Sequence, residues 1–121
     1  MASTEYDVGD VTDFPAAQAQ RRKAGSRHLA IVRRDESFFA VRDICPHQGA
    51  RLSSGTVSGT PKNCLPGEEV VLDRVGEVLI CPWHGWEYDL VTGKTLDNPS
   101  SGRVRTYPVR VEGGRVLVNV G

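Results

Sequence analysis

The stretch Phe38–Ala50, FFAVRDICPHQGA, opens as a strand and runs into a loop that carries a cysteine and a histidine. Its last seven residues, ICPHQGA (Ile44–Ala50), nearly rhyme with ICPWHGW (Ile80–Trp86). Each copy places Cys, Pro, His and Gly in that order. Coincidence rarely supplies such a set twice in a short chain.

Cys45-x-His47 and Cys81-x-x-His84 together offer two thiolates and two imidazoles, donors suited to a borderline or soft metal. Thirty-three residues separate His47 from Cys81, so the two loops belong to different hairpins and must close on each other to share one site. Mononuclear zinc uses the same donor types, but its usual sequence pairs join cysteine to cysteine and histidine to histidine. A mixed pair on each loop fits a binuclear site better, with two cysteines on one iron of a 2Fe-2S cluster and two histidines on the other. Proline after each cysteine stiffens the loop and removes a backbone donor. Gly49 and Gly85 lack a Cβ and leave room for close backbone approach.

Outward from these loops the chain reads as short strands set off by turns. HLAIVRR (His28–Arg34) and FFAVRD (Phe38–Asp43), split by Asp35, Glu36 and Ser37, predict a hairpin. WEYDL (Trp86–Leu90) leads into the turn signal Thr92-Gly93 and then KTL. RVRTYPVRVE (Arg103–Glu112), Gly113-Gly114 and RVLVNV (Arg115–Val120) predict a closing hairpin with alternating valines. PAAQAQRRKA (Pro15–Ala24) has helix formers but no apolar stripe, which predicts at most a short helix or turn. Between the loops, residues 53–76 are rich in Ser, Gly and Pro and read as a long loop or an extra hairpin, with Cys64 as a spare thiol. The fold class expected is all-β: roughly eight or more strands in a small antiparallel sandwich or barrel, with the two Cys/His loops as its cluster-binding part.

The 121 residues are sufficient for one domain, 1–121. Fifteen basic against fifteen acidic residues give no net charge, which argues against nucleic acid or an anionic membrane as partner. The N-terminus lacks a basic start followed by an apolar run, and no segment approaches the length of a membrane span, so a soluble, cytoplasmic protein is expected. Three cysteines are too few and too odd for a disulfide framework, and point to ligands.

With these residues in place, the sequence closely resembles the Rieske family, over FFAVRDICPHQGA, CPWHGWEYDLVTGKTL and RTYPVRVEGGRVLVNV. The likeness is weakest in the first twenty-odd residues and in 53–76, a segment longer than this interval usually is in the family. The resemblance implies a 2Fe-2S cluster with Cys45 and Cys81 on the inner iron and His47 and His84 on the outer one. Two neutral imidazoles in place of thiolates ease electron addition and raise the potential above that of all-cysteine clusters.

Departures narrow the type. The respiratory and photosynthetic members carry an extra disulfide-forming cysteine in each loop, where this chain has Ala50 and Trp83, and a serine that bonds a bridging sulfur, where it has Trp86. Tyr88 matches the family tyrosine that bonds a cysteine sulfur. One of the two potential-raising hydroxyls therefore remains, and a potential in the lower half of the roughly −150 to +300 mV Rieske range is expected. Loss of an outer imidazole proton implies that this potential falls at alkaline pH.

The pattern is similar to the ferredoxins and N-terminal domains of Rieske-type oxygenases. An oxygenase's own catalytic iron needs two further histidines and a carboxylate, whereas His28 is the one histidine left, so the chain is expected to carry electrons rather than oxygenate. The implied partners are a reductase and a terminal acceptor of the oxygenase type. Two alternatives are a small fixed subunit of a larger oxidoreductase and a zinc-stabilised interaction module. His28 reads as an ordinary residue at the start of a strand. The basic run Gln20–His28 reads as a solvated face or as a docking patch for an acidic redox partner. Trp83 and Trp86 read as shields against water, with Trp83 also a candidate for a weak partner interface.

Overall fold

The run LAIV (Leu29–Val32) has no polar residue to mark a solvent face, and all four side chains are fully buried. Successive side chains of a strand point to opposite faces, so such a run must be covered on both sides. The computed structural model, which describes residues 4–45, 50–61, 72–82, 85–96 and 103–120, shows how. Its strands are β1 (Glu5–Asp10), β2 (Ala19–Ala24), β3 (Arg27–Arg34), β4 (Ser37–Arg42), β5 (Thr56–Pro61), β6 (Leu72–Ile80), β7 (Glu87–Asp89), β8 (Thr106–Tyr107), β9 (Val109–Glu112) and β10 (Arg115–Asn119). They form three antiparallel sheets, ordered β1-β10-β9, β2-β3-β4-β8 and β5-β6-β7. Ala30, Val32 and Val41 of the β2-β3-β4-β8 sheet belong to a core that includes Leu52, Leu79, Tyr88 and Leu90. Leu29, Ile31 and Ala40 belong to a second core with Val8, Phe14, Val116 and Val118. The all-β expectation is met, and the β3 run sits between two cores.

The predicted hairpin of β3 and β4 is present, with Arg34 opposite Ser37 and Asp35 at φ +52° in the turn. β5 pairs with β6, Thr56 opposite Ile80, with an irregularity between Ser58 and Thr60, so this hairpin extends past residue 76 to Ile80. Cys64 lies outside the described residues. Among the described residues no helix is long and apolar enough to cross a membrane.

Two local expectations are corrected. Residues 19–24 form neither helix nor turn but strand β2, paired with β3 from Ala19–Val32 to Ala24–Arg27. Helix propensity amounts to a few tenths of a kcal/mol per residue and yields to a complete ladder with a buried neighbour. The stretch 103–112 is two strands rather than one. β8 pairs with β4 through Tyr107–Ala40, while β9 pairs with β10, and Pro108 lies at the break. Proline has no N–H to give to a ladder. Its carbonyl instead accepts from Asn119 N–H at 3.0 Å, where the chain passes from one sheet to another.

Candidate metal centre

Both rhyming loops are closed by the same backbone bond. Cys45 N–H donates to the Ala50 carbonyl at 2.8 Å, and Cys81 N–H donates to the Trp86 carbonyl at 2.7 Å. Each bond spans five residues, so the likeness in sequence is matched by a like closure at the base of each loop. The first loop leaves the end of β4; the second joins β6 to β7, with Ile80 opposite Glu87 at its base. Gly85 sits in the second loop at φ +70° and is exposed; a Cβ there would meet no atom of the described residues within 4 Å. The position favours glycine for its left-handed backbone.

The first loop is anchored at both ends by contacts that no local pattern announced. Asp43, two residues before Cys45, is buried; its carboxylate accepts from Ser53 N–H at 2.7 Å and from Ser53 Oγ at 2.6 Å, across the loop. Arg21 Nε lies 3.3 Å from the same carboxylate. The short 3-10 turn Leu52–Ser54 follows, and Gly55 packs so tightly on β6 that a Cβ would collide with the Ile80 carbonyl oxygen, next to Cys81. The exit of one loop is thereby fixed against the start of the other.

Cys45 and Cys81 are each 1 % exposed, belong to the same core cluster and are not in a disulfide. Tyr88, on β7 and fully buried, places its hydroxyl 3.2 Å from Cys45 Sγ. Burial first, then the bond to Cys45, then the charges of Cys45 and Cys81 hold the Tyr88 hydroxyl well above the ordinary tyrosine range. It stays protonated and donates to the sulfur once Cys45 is a thiolate. Trp86 packs half-buried against the cluster that contains both cysteines, which agrees with its reading as a shield.

Of the four sequence-assigned ligands, the structure buries the two cysteines in one core cluster. His47 and His84, with Trp83 and Gly49, lie outside the described residues, and among the described residues no set of three or more metal-binding side chains gathers. The donor chemistry fits an iron-sulfur cluster. Two buried thiols on separate loops, unlinked and served by an aimed hydroxyl, have the character of soft thiolate ligands whose charge is compensated by metal and by hydrogen bonds.

The profile of the Rieske [2Fe-2S] domain family matches residues 4–108. The chain belongs to that family. Its cofactor is accordingly a Rieske-type 2Fe-2S cluster, as the resemblance implied. Among curated Rieske proteins, the anthranilate 1,2-dioxygenase ferredoxin subunit of Burkholderia cepacia is 32 % identical over 116 residues, 96 % of this chain and 92 % of that one. The ferredoxin component of the p-cumate 2,3-dioxygenase system of Pseudomonas putida is 36 % identical over 110 residues, 90 % of this chain and 80 % of that one. Among solved structures, a complex of reduced oxygenase and oxidised ferredoxin in carbazole 1,9a-dioxygenase contains a chain that superposes with a TM-score of 0.73 at 28 % identity, covering 98 % of this chain and 94 % of that one. The carbazole 1,9a-dioxygenase ferredoxin of Nocardioides aromaticivorans shares the fold, with a TM-score of 0.77 at 23 % identity over 96 % of this chain and 97 % of that one.

Proposed function

We propose that this chain is the ferredoxin component of an oxygenase system, accepting single electrons from a reductase and delivering them to a terminal oxygenase. Cys45 and Cys81 as thiolates, with His47 and His84 as neutral imidazoles, hold the cluster, which when bound takes up and releases one electron at a time. The single observation that carries the reading is the pair of identically closed loops that bury Cys45 and Cys81 in one core under the Tyr88 hydroxyl. Tyr88 donates to the Cys45 sulfur, the β4 and β6–β7 frames keep the two loops opposed, and Trp86 keeps water from the thiolates. The printed roles of the relatives, as ferredoxin subunits of dioxygenase systems and as the ferredoxin in a complex with its oxygenase, support the choice of partners. A single domain spanning 1–121, working in the cytoplasm, completes the reading.

Low-temperature EPR of the dithionite-reduced protein tests it, alongside visible spectrum and iron content. A brown protein with about two irons per chain and a rhombic signal, its average g below that of all-cysteine clusters, is expected. His47→Cys or His84→Cys should move that signal toward the all-cysteine type or abolish it. A colourless, EPR-silent protein holding stoichiometric zinc would overturn the reading.

A further inference from the structure

The two ends of the molecule carry their charge differently. On the β1-β10-β9 sheet the arginines meet carboxylates: Arg110 forks onto Glu5 at 2.7 Å and reaches Glu112 at 2.6 Å, and Arg115 forks onto Asp7 at 2.9 and 3.0 Å. At the end of the β2-β3-β4-β8 sheet where β4 runs into Cys45, the match fails. Arg21, Arg27, His28, Arg42 and Arg105 line a cleft of about 450 Å³. Asp43 is the sole carboxylate among its described lining residues, and it is committed to Ser53 and Arg21. Arg27, Arg42 and Arg105 pair with no carboxylate among the described residues. Arg21 Nε, 3.3 Å from the Asp43 carboxylate, forms an ion pair with it but no aligned hydrogen bond among the described residues.

The ladder assembles this cleft from distant parts of the sequence. Asp43 N–H donates to the His28 carbonyl at 3.0 Å, and Arg42 N–H donates to the Arg105 carbonyl at 2.9 Å, which sets three basic segments side by side. Strand alternation meanwhile splits the basic run Gln20–His28: Arg22 leaves the group and lies over the Phe14 ring at 4.9 Å. Ile44, 39 % exposed, continues the cleft wall directly to Cys45.

We propose that this cleft seats an acidic segment of the redox partner protein, whose carboxylates pair with Arg27, Arg42 and Arg105 beside the Cys45 loop. The inference deepens the electron-carrier reading and rests on it. Guanidinium forks match carboxylates in a planar, two-bonded geometry, and clustered arginines without counter-charges gain most from an incoming acid. Arg27, Arg42 and Arg105 are exposed, and Ile44 adds an apolar contact, an arrangement for a protein surface rather than an enclosure for a small anion. Electron-transfer contacts are small, so one cleft suffices as an anchor, and its field speeds encounter at low salt. A chain with no net charge still presents a positive face at its cysteine loop.

The probe is a fluorescein-labelled hexaglutamate peptide titrated by anisotropy into the intact protein at low and at physiological salt, with hexalysine as the opposite-charge control. Arg27→Gln/Arg105→Gln removes two cleft charges; Arg110→Gln/Arg115→Gln removes the same charge from the far sheet. The cleft variant should weaken hexaglutamate binding by about tenfold and flatten its salt dependence, while the far-sheet variant stays within about twofold of the parent. One-electron reoxidation of the reduced protein by the anionic cobalt(III)–EDTA complex, giving cobalt(II), should slow in the cleft variant alone. Equal weakening in both variants, or none in the cleft variant, would overturn the proposal. Iron content and visible spectrum on the same samples report the electron-carrier reading separately, because peptide binding is measured without any redox step.

Discussion

Tyr88→Phe removes one oxygen from a fully buried ring and leaves the ring to pack as before. The hydroxyl lies 3.2 Å from Cys45 Sγ, and with Cys45 as a ligating thiolate it is the donor. A hydrogen bond to a charged acceptor contributes about 1.5–3 kcal/mol net. The sulfur carries negative charge in both redox states, so the potential feels just the strengthening that one added electron brings. Taking that increment as about 1 kcal/mol, and a tenfold change in a one-electron equilibrium as about 59 mV, the variant's potential should fall by roughly 40 mV. The sign is fixed: the bond stabilises the more negative, reduced state, and its loss disfavours reduction. Because burial and Cys45 hold the hydroxyl above its ordinary range, it donates throughout neutral and mildly alkaline pH, and the gap between parent and variant should stay constant there. Protein-film voltammetry of both proteins at matched pH measures the shift, with iron content confirming equal cluster loading. An unchanged or higher potential in a fully loaded variant would refute the reasoning.

Gly55→Ala drives a Cβ into the Ile80 carbonyl beside Cys81; thermal melts and iron content should show a destabilised protein that loses its cluster more readily than the parent. Asp43→Ala leaves the Ser53 amide and hydroxyl without their acceptor and should cost about 1–3 kcal/mol in urea unfolding, with Asp43→Asn closer to the parent. Glu5 and Asp7 are held below the ordinary carboxylate range, each chiefly by hydrogen bonds from an arginine, Arg110 and Arg115 respectively. Their contribution is present above the unfolded-state values near pH 4 and is lost as pH falls through the lower folded-state values. Amide protection factors of the β1-β10-β9 sheet, with the intrinsic pH dependence of exchange divided out, should therefore fall in acid, and Glu5→Gln/Asp7→Asn should reduce that acid sensitivity; both effects should be small, since the pairs are exposed.

The cluster loops were legible because each is a local device. Cys, Pro, His and Gly stand within a few residues, and loop closure over five residues needs no distant partner to be recognised. The β3–β4 and β9–β10 hairpins were legible for the same reason, since alternation and a turn signal lie within one short window. The Asp43–Ser53 bond was not, because nothing in a lone aspartate says that a serine ten residues on will return to it. Tyr88 and its bond to a cysteine sulfur were found through family resemblance, and the structure places the hydroxyl 3.2 Å from the sulfur of Cys45.

Sequence by itself determined the two Cys/His loops as candidates, the all-β class and the cofactor family, because those depend on residue type and short spacing. Tertiary structure decided the rest. It drew residues 19–24 into strand β2, since a ladder against the buried β3 outweighs weak helix propensity. It divided the 103–112 stretch at Pro108 between two sheets, because a residue without an N–H cannot continue a ladder. It also gathered Arg27, Arg42 and Arg105 into one basic cleft beside Cys45, a juxtaposition set by strand register, which no composition or net charge contains.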